Sequence, residues 1–527
     1  MSTCHWQSIR IAIYQAYYLL VNFVFWLYNS FKPRLSVPRP RDELLFLSAT
    51  QAAAAIRAKT ITSTQLIKAY IARIEEVNPV INAVADSDYE TSLTMAAEVD
   101  DLIAAADSET LSRLASSRPL LGVPFTAKDS VSVAGRRLSL GILARRDGKA
   151  ERNAQVIDRM EAAGAIFLAL STVPEMLLAL ETTNPIDGVT RNAYDTRRVC
   201  GGSSGGEGAL VGAAASVIGI GTDIAGSIRY PAFCGGVFGF IPSSGRVPWT
   251  GIAPPAGVSD FMSLQMVRCG PLCRYAEDLP LMYKVMSGSN EDFMEGNYEG
   301  KPLRLFFIED YEYASERTSS SMKEALHKAS SFLEERHDAT AVALRLPASQ
   351  FFVEVYMSSL GEGQNSTIVP NFWSEVATEK ELASSSVFRE MVRALWNGGI
   401  SDTHAAATLA SMWHIEGNTV HPQMLAKREE LKRQIEAALG DNGVLLAPTS
   451  PDLALYHNQY AFKVKNLFYT GIYNTLGFPV VQCPVGLSED GVPLGVQIIG
   501  RHGSDALLLR LAKEIEDGIG GWVPPGN

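Results

Sequence analysis

The chain has 527 residues, with 46 Lys+Arg against 57 Asp+Glu for a net charge of −11, and 46% of its residues are hydrophobic. That balance is globular; it excludes a disordered or collagen-like chain, and an acidic sequence without a dense Lys/Arg run argues against nucleic acid as partner. Six scattered cysteines (Cys4, Cys200, Cys234, Cys269, Cys273 and Cys483) give neither a disulfide framework nor a zinc set, so a reduced protein without metal or cofactor is expected.

The first predicted element is the uncharged run Ile11 to Phe31. As a helix it is about 31 Å long, the thickness of the hydrocarbon core of a bilayer. Phe25, Trp26, Tyr28 and Phe31 suit its interface. Asn29-Ser30-Phe31-Lys32-Pro33 follows instead of a small-residue cleavage site, so an uncleaved single span is preferred to a signal peptide. A buried or interfacial helix is the third reading. Arg10 precedes the run and Lys32, Arg34, Arg39 and Arg41 follow it, a bias that puts the main body in the cytosol. The expected division is a membrane anchor over 1–32, a stiff exposed linker over 33–44 marked by Pro33, Pro38 and Pro40, and one folded body over 45–527.

Ser48-x-x-Gln51 and Thr62-x-x-Gln65 are capping boxes that open two helices. In the second, Leu66, Ile67, Tyr70, Ile71 and Ile74 share a face. From residue 120 onward short apolar runs alternate with helical stretches: Val123–Ala127, Ile166–Leu170, Val217–Ile220, Leu303–Ile308, Val444–Pro448 and Leu494–Ile499. The alternation predicts an α/β fold, a central mixed sheet flanked by helices. Asp490-Gly491 signals a hairpin near the end.

The chemistry concentrates in Cys200-Gly201-Gly202-Ser203-Ser204-Gly205-Gly206-Glu207-Gly208 and Gly221-Thr222-Asp223-Ile224-Ala225-Gly226-Ser227-Ile228-Arg229. A phosphate loop would end in Gly-Lys-Ser/Thr, which is absent. Gly201-x-Ser203-x-Gly205 also fits a nucleophile elbow, but Asp195-Thr196-Arg197-Arg198 before it makes a poor strand. Ser203 or Ser204 could equally cap a helix starting near Gly206. Of the eight histidines none lies between residues 6 and 326. A base for serine chemistry is therefore a distant His or a desolvated lysine, and Lys128, ending an apolar strand-like run, fits the second role.

Lys128, Gly-Gly-Ser203-Ser204-Gly-Gly and Asp223-Ile-Ala-Gly-Ser227-Ile-Arg-Tyr-Pro-Ala, with 75 residues from Lys128 to Ser203 and 24 from Ser203 to Ser227, resemble the amidase signature family from about residue 45 onward. The resemblance implies the amidase signature fold and a Ser–Ser–Lys triad. Ser227 would be the acyl-forming nucleophile, Ser203 the proton bridge after an unusual cis peptide, and Lys128 the base and later the acid. The amides of Ile224, Ala225, Gly226 and Ser227 would form the oxyanion hole, Ser204 would orient Ser203, and Asp223 and Arg229 would hold the turn. The apolar run, Cys273-Arg274-Tyr275-Ala276-Glu277-Asp278-Leu279 and Gly520-Gly521-Trp522-Val523 resemble the type 2 fatty-acid amide hydrolase branch. That branch implies a membrane-anchored enzyme taking a lipid-like amide, and a homodimer is compatible with it.

The sequence departs from the family pattern twice. Ala225 stands where Gly is usual, which costs about 1 kcal/mol if φ is positive there. Ile241 stands where a Lys usually precedes Pro242. The stretch 351–415 holds Phe351, Phe352, Tyr356, Met357, Phe372, Trp373, Leu395, Trp396, Met412 and Trp413, either ordinary core or the wall of an acyl channel or cap. Asn365-Ser366-Thr367 is a glycosylation sequon. The rival readings are the A subunit of a tRNA amidotransferase, expected to lack a span, and a catalytically silent tethered relic, which the intact Lys128, Ser203 and Ser227 oppose.

Overall fold

The uncharged N-terminal run folds as one helix, α1 (Ser2–Ser30), in a computed structural model that describes residues 2–253, 265–289, 302–311, 316–360, 362 and 422–526. After it the chain is less free than its proline content implies. Val37 is fully buried and its N–H donates to Ala193 O at 3.0 Å, while Thr196 N donates to Leu35 O at 2.9 Å. The expected linker keeps most of its residues exposed but is tied to the body at Leu35 and Val37, whose backbone groups find partners in the loop 193–196.

Both capping boxes form. The Ser48 and Thr62 hydroxyls accept from Gln51 N and Gln65 N, and each Gln side chain returns the bond, opening α2 (Ala49–Arg57) and α3 (Ser63–Ile81). Leu66, Ile67, Tyr70 and Ile74 of α3 are buried, with Ile71 half-buried at the stripe's edge.

The strands in chain order are β1 (Val84–Ser87), β2 (Pro124–Lys128), β3 (Ile166–Ser171), β4 (Thr183–Asn184), β5 (Gly188–Val189), β6 (Ile218–Asp223), β7 (Phe238–Ile241), β8 (Arg268–Cys273), β9 (Arg304–Phe307), β10 (Ala341–Ala343), β11 (Gly443–Pro448), β12 (Val480–Leu487) and β13 (Pro493–Ile499). All six predicted runs are among them. Eleven make one sheet in the order β1-β3-β2-β6-β8-β7-β12-β13-β11-β9-β10, and β4 pairs with β5. The sheet is mixed: β2 runs parallel to β3 and β6, and β9 to β10 and β11, while the other pairs are antiparallel. Every residue of β2, β6, β8 and β11 is buried, which is why the apolar runs of β2, β6 and β11 read as continuous rather than alternating. β12 and β13 form the predicted hairpin, with Gly491 at φ 63° in its turn. The register pairs Thr126 with Gly219 and Ala127 with Ile220, so the carboxyl ends of β2 and β6, third and fourth in the sheet, emerge side by side.

Candidate active site

Lys128 is the last residue of β2 and is fully buried. Its Nζ lies 2.7 Å from Ser203 Oγ, 2.7 Å from Thr222 Oγ1 and 3.3 Å from Thr222 O. Burial lowers the amine from 10.5 to about 7, against the opposing pull of Asp223, Cys269 and Glu207. A neutral amine has two N–H groups and one lone pair. With both N–H groups directed at Thr222, whose carbonyl can only accept, the lone pair is left for the Ser203 hydroxyl. Thr222 was not singled out in the sequence. Its signal is its place at the end of β6, next to β2, directly before Asp223.

Ser203 follows a cis peptide at Gly202–Ser203 and precedes the helix Gly205–Gly212. The glycines of that helix serve contact rather than phosphate binding: a Cβ on Gly208 would lie 2.6 Å from Pro231 O of the helix Arg229–Cys234. Ser204 takes the N-cap position but its side chain makes no cap bond. Nor does it meet Ser203, as expected from the sequence. Its hydroxyl bonds the backbone of Thr222, donating to O and accepting from N at 3.3 Å each, and its own N–H donates to Ser227 O at 3.1 Å. Ser204 therefore fastens the helix start to the end of β6 and to the Ser227 turn. Glu207, one turn further on, is fully buried beside β2, with Thr126 Oγ1 donating to it at 2.6 Å, and burial raises its carboxyl to about 7.

The turn from Asp223 to Arg229 is held by those two side chains. Asp223 accepts from Gly226 N at 2.7 Å and Ile228 N at 2.9 Å, and Arg229 grips both carboxylate oxygens at 3.1 and 3.2 Å. Burial works to raise this carboxyl, yet the Arg229 charge and the backbone N–H groups outweigh it and hold it at about 2. From the helix Phe468–Leu476, Asn474 Nδ2 donates to Asp223 Oδ1 at 2.9 Å and Thr470 Oγ1 to Ala225 O.

Two expectations change here. The N–H of Gly226 is spent on Asp223, so it drops out of the candidate oxyanion donors. Among the described residues nothing accepts from Ile224 N, Ala225 N or Ser227 N, which stay open. Ala225 is not in the positive-φ region, so it carries no strain; the position that needs glycine is Gly226, at φ 121° and with a Cβ that would lie 2.2 Å from Thr470 Oγ1. Ile241 is fully buried in β7 among apolar neighbours, away from Lys128 and the serines.

Ser203, Thr222, Ile224, Ala225 and Ser227 line one end of a cavity of about 460 Å³ whose walls are mostly apolar, including Leu177, Tyr356, Met357 and Phe468. No described histidine lines it. His457 instead pairs with Glu181 at 2.8 Å. Tyr356 and Met357 meet the channel reading, whereas Phe352 is buried in the core. Phe372, Trp373, Leu395, Trp396, Met412, Trp413 and the Asn365 sequon lie outside the described residues. Among the described residues no group of His, Cys, Asp and Glu is placed to hold a metal ion, and five cysteines, Cys200, Cys234, Cys269, Cys273 and Cys483, are free and buried.

Comparison with known proteins matches residues 65–509 to the family described as Amidase. Fatty-acid amide hydrolase 2-A of Danio rerio is 37% identical over 500 residues, covering 93% of this chain and 92% of its own. Fatty-acid amide hydrolase 2 of Homo sapiens is 34% identical, with coverage of 93% and 92%. A solved structure of a fatty acid amide hydrolase shares the fold at TM-score 0.69 and 21% identity, over 91% of this chain and 86% of that one.

Proposed function

The chain belongs to the amidase signature family, hydrolases of amide bonds, and from that premise we propose that it cleaves fatty-acid amides to fatty acid and amine through an acyl-enzyme on Ser227. The carrying observation is a fully buried amine of pKa about 7, bonded to Ser203, which lines an apolar cavity together with Ser227. Ser227 Oγ attacks the amide carbonyl while its proton passes to Ser203 and the Ser203 proton to Lys128. The carbonyl oxygen gains charge against the open amides of Ile224, Ala225 and Ser227. Lys128, now an ammonium, returns a proton through Ser203 to the leaving nitrogen, the C–N bond breaks, and water then releases the fatty acid by the reverse relay. Asp223 and Arg229 are positioning residues that keep the turn in shape. The apolar walls and the similarity to fatty-acid amide hydrolases support a lipid-like acyl group. α1 holds the enzyme to a membrane, and the basic residues Lys32, Arg34, Arg39 and Arg41 favour the cytosolic side.

A fluorophosphonate probe tests the assignment. Mass spectrometry should find its adduct on Ser227, and hydrolysis should accelerate along a series of amides with lengthening acyl chains. An adduct on Ser203 or Ser204, or no preference for long chains, refutes the reading.

A further inference from the structure

We infer that α1 does not cross the bilayer but lies within one leaflet, docked lengthwise on the hydrolase body, where it also walls the acyl cavity; this rests on the reading of that cavity as the acyl site. The helix is amphipathic in the inverted sense. Its polar amides Gln15, Asn22 and Asn29 recur every seven residues and share a stripe with Tyr14, Tyr18 and Phe25 that faces the body. Asn22 is satisfied at both ends of its amide, donating to Glu316 Oε1 at 2.6 Å and accepting from Gln459 Nε2 at 2.9 Å. Glu316 is itself buried and also takes Lys463 Nζ at 2.7 Å and Asn466 Nδ2 at 2.8 Å, so the acceptor belongs to a built cluster. Gln15 Oε1 accepts from Arg317 N, Tyr17 Oη donates to Phe462 O, and Asn29 O accepts from Arg197 Nη1. These bonds pin about 21 Å of helix to the body.

Away from the body the helix carries Ile13, Leu20, Phe23 and Val24, with Leu19 and Trp26 at the flank of the amide stripe, each 50–70% exposed. A helix on a water-facing surface has the reverse polarity. The occupant that suits an uncharged aliphatic and aromatic face, followed at once by exposed Lys32 and Arg34, is a lipid leaflet: acyl chains against the face, anionic headgroups at the basic end. A crossing helix would have to leave the body and strand Gln15 and Asn22 in hydrocarbon, or carry Glu316, Lys463 and Arg197 in with it.

The same helix reaches the chemistry. Tyr14, Tyr17 and Tyr18 line the cavity that holds Ser203 and Ser227, next to Phe462 and Lys465, which line it too. Phe462 is half exposed and packs on Phe25 at 5.7 Å, so the lipid face and the cavity wall are two sides of one seam. α1 is therefore a specificity-determining element for long acyl chains.

Labelling of the full chain in sealed phosphatidylcholine/phosphatidylserine vesicles decides its placement. Cys4 and an introduced Ser36→Cys bracket the apolar run, and the other five cysteines are buried. After an impermeant maleimide, intact mass should show either two labels or none on each molecule, whatever its orientation. A spanning helix gives one label on every molecule and overturns the inference; so does a chain that fails to float with the vesicles and pairs with a second copy instead. Asn22→Leu should lower kcat/KM for a long-chain amide at least tenfold and leave an acetyl amide within twofold, the acetyl rate serving as the check on folding. An equal loss for both removes the wall role. If no acyl amide is hydrolysed, the functional reading fails while the label count still fixes the helix.

Discussion

Lowering pH should switch the enzyme off through Lys128, and the structure sets the midpoint. Burial takes the amine from 10.5 to about 7, a displacement worth about 5 kcal/mol. At pH 7 about half the amine is then neutral, against about one in 3,000 for an ordinary lysine. The neutral form is the active base, so kcat/KM should rise with a midpoint near pH 7 and level off about one unit higher. A histidine base, with its ordinary pKa near 6.5, would level off by about pH 7.5. Three ionisable groups face the amine: Asp223, Cys269 and Glu207. Asp223 at about 2 is charged throughout, and burial pushes the Cys269 thiol up to about 12, so it stays neutral. Glu207 at about 7 titrates in the same window, and each carboxylate formed favours the ammonium. The wild-type rise should be broad, and Glu207→Gln should sharpen it and move its midpoint down. Lys128→Ala should cost about 10²–10⁴-fold in kcat, the range for a general acid–base group, and flatten the profile. A wild-type plateau below pH 7.5, or a Lys128→Ala enzyme retaining more than about a tenth of its activity, refutes the reasoning.

Ser227→Ala should abolish the fluorophosphonate adduct while leaving the thermal melt unchanged; adduct persisting on the variant shows a different nucleophile. Gly226→Ala should lower both Tm and kcat, since its φ of 121° and the 2.2 Å approach to Thr470 Oγ1 leave no room for a Cβ. Ala225→Gly should bring no gain, and a stability increase of about 1 kcal/mol would show strain at Ala225 after all. Asp223→Asn should destabilise by about 3–5 kcal/mol at pH 7 by leaving Arg229 buried without its counter-charge. Because the Asp223 pKa falls from 3.8 to about 2 on folding, its ionic stabilisation is present above 3.8 and lost as pH falls through 2, about 2 kcal/mol in all, so the gap between variant and wild-type Tm should narrow there.

Five of the six apolar runs were legible as strands because a strand covered on both faces needs no polar residue; β9, half-exposed, was legible by its run of Leu303 to Ile308 alone. β8 was not, since Arg268, Gly270 and Pro271 break its apolar run although all of it is buried. β1 and β10 are short and largely half-exposed or exposed edge strands, with too few residues to show a period. The positions of Lys128, Ser203 and Ser227 came from motif and spacing; the fold brings Ser203 and Ser227 to one cavity and sets Lys128 Nζ behind it, 2.7 Å from Ser203 Oγ. Their partners were hidden for a physical reason. Thr222 acts on Lys128 only through the parallel pairing of β2 with β6, and the loss of the Gly226 N–H depends on which way the Asp223 carboxylate turns. Neither is a property of local sequence.

The N-terminal helix shows the same limit from the other side, because here the distinguishing information was local and was averaged away. Summed over residues 11–31, a span and a leaflet-lying helix have the same hydropathy; they differ in phase. At about 100° per residue, seven residues advance a side chain to within about 20° of its starting direction. Gln15, Asn22 and Asn29 therefore fall almost in one line, whereas a helix surrounded by lipid has no reason to align its amides. The alignment says that one side of the helix meets polar groups from Gln15 to Asn29. The body supplies that partner to Gln15 and Asn22 in Arg317, Glu316 and Gln459; the buried Asn29 amide donates to Phe25 O of its own helix while Arg197 takes the Asn29 carbonyl, which leaves only the other side for lipid.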